Sequence, residues 1–147
     1  MRAFASIVAL CGCIAGTSAG AEVLITPQEA ALPSASAPLG KTRALSRAPD
    51  AELLPPSSGG VAVASPLQFK IRFVPHGGTT IDLAATRILY MKEPMVDLTQ
   101  RVKKYMTASG IDMPAAEAPP GQHVMMIELT DSRGHVGLST ITLTVGP

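Results

Sequence analysis

The sequence contains no tryptophan, and its other aromatic side chains are three phenylalanines and two tyrosines. A core built from it must be filled mainly by Leu, Ile, Val and Met, with Phe69, Phe73, Tyr90 and Tyr105 as the aromatic volume beyond the amino terminus. Its two cysteines, Cys11 and Cys13, both fall in the first thirteen residues. Charge of one sign is also missing, since twelve basic residues stand against eleven acidic ones and the only close basic cluster is "RVKKY" (101–105). Binding to nucleic acid or to an anionic membrane surface draws on a basic face, so neither is an expected partner. There is no G-x-S-x-G, no H-E-x-x-H and no phosphate-binding glycine loop, which leaves no recognisable catalytic motif and no expectation of an enzyme.

What is present begins with an address. Arg2 precedes the apolar run "AFASIVALCGCIAG" (3–16), and the small-residue stretch "TSAGA" closes with Ala19 and Ala21 in A-x-A positions. This predicts a signal peptide over 1–21 and a mature chain that starts at Glu22 in the periplasm or outside the cell. The run is shorter than the roughly 20 apolar residues a membrane span needs, so no span is expected after cleavage. "LCGC" offers a second route, in which Cys13 carries a lipid anchor. Cleavage at either point removes or modifies the cysteines, leaving no disulfide although the compartment would allow one. Loss of Arg2 leaves eleven basic residues against eleven acidic ones, a neutral mature chain.

Residues 22–48 are dominated by Ala, Pro, Ser and Leu without a sustained period, which predicts a disordered linker. Residues 49–147 have the length of one domain. Within it "LQFKIRF" (67–73) alternates apolar and polar residues without a break, the pattern of a strand with one buried face. "TRILYMK" (86–92) is apolar on both sides and suits a central strand, and weaker strands are expected at 51–54 and 61–64. "HVMMIELT" and "STITLTV" flank "DSRG" (131–134), a turn sequence, and so predict a closing hairpin. One short helix is expected in "VDLTQRVKKYMTASG", capped by Asp97 or Thr99, with Leu98, Val102, Tyr105 and Met106 on one face and Gly110 as its stop. About seven short strands with turn signals between them predict an all-β, immunoglobulin-like β-sandwich.

The segments "LLPPSSGGVAVASPLQFKIRF" and "PPGQHVMMIELTDSRGHVGLSTITLTV" resemble bacterial secreted and periplasmic immunoglobulin-like domains. The closing hairpin is also similar to that of CopC-type periplasmic copper-resistance domains, which carry a D-G-H turn. That resemblance implies a copper ligand at His135. Here the tripeptide is Arg133, Gly134, His135, with the acid displaced to Asp131, and the mature chain would begin with Glu22 where that family has a histidine.

The stretch from Gly121 to Gly137 holds the other candidates. Adjacent Met125 and Met126 point to opposite faces of a strand and cannot both bind one ion, whereas His123, Met125, Ile127 and Leu129 share a face. Met125 therefore reads as core, and His123 as a strand-entrance histidine or a second copper ligand. Met91 and Met95 would make a soft Cu(I) site with Met106 or Met113 if they converged. His76 is expected in an exposed glycine-rich turn. Ser139 lies four residues after His135 with no third group to orient the histidine, while Asp82 and Asp97 read as a loop acid and a helix cap. Two functions remain: a non-catalytic exported interaction or structural module meeting a protein or cell-envelope partner, and a CopC-like copper protein using His135 and His123.

Overall fold

The computed structural model describes residues 20–36 and 47–147. Among them the chain forms nine strands: β1 (Glu22–Val23), β2 (Asp50–Leu53), β3 (Leu67–Val74), β4 (Ile81–Tyr90), β5 (Val96–Asp97), β6 (Met106–Thr107), β7 (Gly110–Glu117), β8 (Gly121–Asp131) and β9 (Val136–Val145). Two single-turn helices, α1 (Pro27–Ala30) and α2 (Thr99–Val102), complete it, the second running into a 3₁₀ turn at Lys103–Tyr105. One sheet has the order β1, β7, β3, β2 with β6 also on β7, and the other has the order β5, β4, β8, β9. The expected all-β sandwich with one short helix between strands is the architecture found.

Alternation in the sequence decides which side of each strand is buried. Leu67, Phe69, Ile71 and Phe73 of β3 all face inward, and Ile111, Met113 and Ala116 of β7 lie beside them. Opposite stand Ile88 and Tyr90 of β4, Met125, Ile127 and Leu129 of β8, and Ile141, Leu143 and Val145 of β9. Each such side chain contributes roughly 1.5–3 kcal/mol of burial, so aliphatic residues and methionine replace the missing aromatics by number. β4 bulges between Asp82 and Arg87, where five steps along β4 match two along β8, and Thr86 bonds back to the Asp82 carbonyl.

The side of the sandwich between β2 and β9 is closed by backbone contact. A Cβ on Gly137 would lie 1.8 Å from the Pro49 carbonyl oxygen, and the Ala51 N–H donates to Ser139 Oγ at 2.9 Å. Further along, Val63 forms an isolated bridge to Val145, which is all that remains of the strand expected at 61–64.

The linker expected over 22–48 is corrected over its first half. Residues 22–36 are a strap docked on the sandwich: β1 pairs parallel with β7, and Leu24 and Ile25 are among the most buried side chains in the molecule. α1 starts with a complete capping box, in which Thr26 accepts from the Glu29 N–H, Glu29 accepts from the Thr26 N–H, and Pro27 opens the helix. Glu29 also holds Arg101 through two oxygens at 2.6 and 2.8 Å, and Arg101 donates to the Leu24 carbonyl. Lys92 donates to the carbonyls of Ala30 and Leu32 at 2.9 and 3.0 Å. Apolar insertion and these charged bonds outweigh the composition that reads as unstructured. Residues 1–19 of the signal peptide expected over 1–21, and residues 37–46 of the expected linker, lie outside the described residues.

The short helix has the expected inward face, with Leu98 and Val102 buried, but different ends. Its cap position is Leu98; Asp97 instead accepts from the Thr99 N–H, and Thr99 Oγ1 accepts from the Ile88 N–H. Gly110 does not stop the helix but opens β7. It pairs with Arg72 where a Cβ would meet the Ile71 carbonyl oxygen at 2.0 Å, so only glycine fits.

Candidate functional site

β8 carries His123 near its start and leads into the turn that holds His135, and its inward row reads His123, Met125, Ile127, Leu129, Asp131. Three apolar residues are thus bracketed by two buried polar ones, and each must find partners inside the protein. His123 Nε2 lies 2.7 Å from the Pro119 carbonyl oxygen and Nδ1 lies 2.8 Å from the Tyr90 hydroxyl. A carbonyl only accepts, so Nε2 carries the hydrogen and Nδ1 accepts from Tyr90. Both nitrogens are used, and burial holds the imidazole below its ordinary pKa, with Lys92 adding to the effect.

At the far end Asp131 accepts three bonds. Its Oδ1 takes the N–H groups of Arg133 and His135, both at 2.9 Å, and its Oδ2 lies 2.9 Å from His135 Nδ1. Burial pushes this carboxyl up, but the His135 ring and the two N–H groups outweigh it and hold it at about 2. The turn is closed by the Gly134 N–H on the Asp131 carbonyl, with Gly134 at φ 81°, a left-handed conformation suited to glycine. Asp131 is therefore the organiser of the hairpin turn.

These positions separate the sequence candidates. His123 stands near the start of β8 and His135 in the turn beyond its far end; the eight steps from His123 to Asp131 span about 27 Å at the usual strand rise, so the two rings cannot share one ion. His135 is 42% exposed with Nε2 outside the Asp131 contact, and carboxylate-oriented rings of this kind are common among metal-binding histidines. The His76 side chain is 40% exposed, and its Nε2 lies 3.2 Å from Asp50 Oδ2. Ser139 faces inward and is taken by the Ala51 N–H, so it makes no pair with His135. Met91 and Met113 are buried and Met95 is exposed; Met113 is paired with Phe69 in the other sheet. No group of three or more His, Cys, Asp or Glu side chains able to hold a metal occurs among the described residues, and no described helix is long and apolar enough to cross a membrane.

The feature that sequence reasoning missed lies on the outer face of the four-stranded sheet. Along β9 the inward positions are Gly137, Ser139, Ile141, Leu143 and Val145, and the outward ones are Val136, Leu138, Thr140, Thr142 and Thr144. Near the turn this order is inverted, with small residues inside and Val136 and Leu138 outside at 53% and 56% exposure. The inversion has a steric cause, because Pro49 and Ala51 press on Gly137 and Ser139 and leave no room for larger side chains. Leu83, in the β4 bulge, is also exposed, beside Asp82, which pairs with Thr130 and through it with Val136. Leu89, Val124 and Met126 extend the apolar surface along β4 and β8, with Arg87 and Glu128 as neighbours between them. The signal in the sequence was the parity of "VGLSTITLTV", in which two large apolar residues share a face with three threonines.

Acid stability follows from the buried groups. His123 has a depressed pKa in the folded state, so its contribution is fully present above the unfolded value of 6.5 and is lost as the pH falls below it. Glu29, held at about 2 by Arg101 against the opposing effect of burial, contributes above its ordinary 4.5 and loses that contribution between 4.5 and about 2. Denaturant unfolding measured against pH should show both stages. In His123→Leu the stage that starts at pH 6.5 should disappear while the one below 4.5 persists.

Comparison with protein-family models, with curated proteins and with solved structures returns no match.

Proposed function

We propose that the chain is a non-catalytic interaction or structural module exported to the periplasm or cell surface, which meets a protein or cell-envelope partner through the outer face of its four-stranded sheet. The observation that carries this is the inverted parity of β9. Two large apolar side chains are turned to solvent where the fold uses only glycine and serine inside. Contiguous exposed apolar surface is a mark of protein or membrane contact sites. The signal-peptide pattern and the resemblance to secreted immunoglobulin-like domains support the location, with lipidation at Cys13 as the membrane-tethered variant.

A copper-binding role is the second reading, and one observation favours it: Asp131 fixes the His135 ring through Nδ1 and leaves Nε2 as a ligand atom. Titration of the processed protein with Cu(II) and Cu(I) under a competing chelator separates the two. The module reading expects no sub-micromolar binding. Tight binding that is lost in His135→Ala would establish the copper reading in its place.

A further inference from the structure

We propose that the partner of this sheet face is a second copy of the same chain, packed sheet on sheet about a two-fold axis running parallel to the strands between β4 and β8. The inference rests on the module reading and names its partner.

A two-fold interface must be complementary to itself, so each residue has to suit the one that the axis brings opposite it. On this face β4 and β8 present matched rows: Arg87 pairs in register with Glu128, and Leu89 pairs with Met126. Rotation about an axis between the two strands sets Arg87 against Glu128 of the partner subunit and Leu89 against the partner subunit's Met126. Opposite charges then meet, and apolar groups meet apolar groups. The same rotation carries Val136 and Leu138 toward the other copy's β4 bulge, where Leu83 is exposed. Val136 and Leu138, two of the six large apolar side chains exposed among the described residues, lie on this face, and Leu83, a third, stands in the bulge of β4.

Charge and area agree with such a pairing. A chain with formal net charge +1, or zero after loss of Arg2, has little self-repulsion to overcome and no field to steer a strongly charged partner. Three long strands about 4.8 Å apart and about 33 Å long present a footprint of about 500 Å² per copy. Two copies would bury about 1,000 Å² in total, the lower bound for a specific interface, so the dimer should be reversible and of micromolar strength. With the strands of each sheet inclined about 15° to the axis, the two sets would cross at about 30°, as in aligned sheet packing.

Sedimentation equilibrium of the whole processed chain, from micromolar to sub-millimolar concentration, tests this. A monomer–dimer equilibrium is expected. Leu138→Lys should weaken it at least about tenfold, and Arg87→Glu and Glu128→Arg should each weaken it while the double exchange restores most of the loss, the pattern of a direct pair. All three positions face solvent, and circular dichroism checks that each variant folds. A wild type that stays monomeric throughout, or a dimer indifferent to every one of these changes, overturns the proposal. A monomer whose position 138 cross-links to a different protein in cells overturns the second copy alone, whereas a monomer with no such adduct overturns the module reading as well.

Discussion

Gly137→Ala is expected to lower the unfolding free energy by about 3 kcal/mol, the upper part of the usual range for overpacking. The added methyl would overlap the Pro49 carbonyl oxygen at 1.8 Å and crowd its carbon at 2.9 Å, and both are backbone atoms that no rotamer change can move aside. Relief requires the start of β2 to lift from β9, which also draws the Ala51 N–H away from Ser139. Gly134→Ala is the control. Nothing lies within 4 Å of its Cβ site and only its φ of 81° opposes a side chain, so a loss of about 1 kcal/mol is expected. Urea unfolding followed by circular dichroism measures both, since the chain has no tryptophan to report by fluorescence. Equal midpoints for Gly137→Ala and wild type would remove the steric account of the inverted β9 pattern.

Loss of the strap should have a still larger effect. Leu24→Ala and Ile25→Ala each truncate a side chain with almost no exposure, at a cost of about 2–5 kcal/mol apiece. Together they approach the whole stability of a typical domain, about 5–15 kcal/mol. Deleting residues 22–36 goes further. It strips a strand from the edge of β7 and leaves the Arg101 guanidinium and the buried Lys92 ammonium without the oxygens that now receive them. The double variant is expected to melt at a much lower temperature and the deleted chain to be recovered unfolded or aggregated. A deleted chain that melts as the intact one does would show that the strap is an ornament on a self-sufficient sandwich.

The parts of the fold that were legible in the sequence are those where one local pattern decides the outcome. β3 could be read from seven alternating residues, and β8 and its turn from the apolar row that ends in Asp131. The buried face of α2 followed from the spacing of Leu98 and Val102. The strap was hidden by composition, although Thr26, Pro27 and Glu29 are a capping box with proline at the first helical position, and the apolar pair Leu24 and Ile25 stands directly before it. What residues 24 and 25 insert into depends on β7 and α2, many positions away, and no local rule supplies that. Gly110 shows the same limit. Its position after a helical pattern reads as a stop, while the reason for glycine is the Ile71 carbonyl across the sheet.

The candidate site divides along the same line. Sequence drew attention to the histidines because of their chemistry, and geometry accounts for His123 by its two hydrogen bonds at the end of a core row. The outward Val136 and Leu138 carry no distinctive chemistry and stand out only once the inward Gly137 and Ser139 are seen under β2.

Site-specific photo-cross-linking in living cells tests the sheet-face account most directly. A photoreactive residue is placed at Leu138, with Glu52 on the opposite sheet as the control position, and the chain is produced in its native host. The expected result is a discrete adduct from position 138, of twice the chain mass for a second copy, and none from position 52. Adducts from position 52 with none from 138 would contradict the assignment of the outer β4–β8–β9 face as the contact surface.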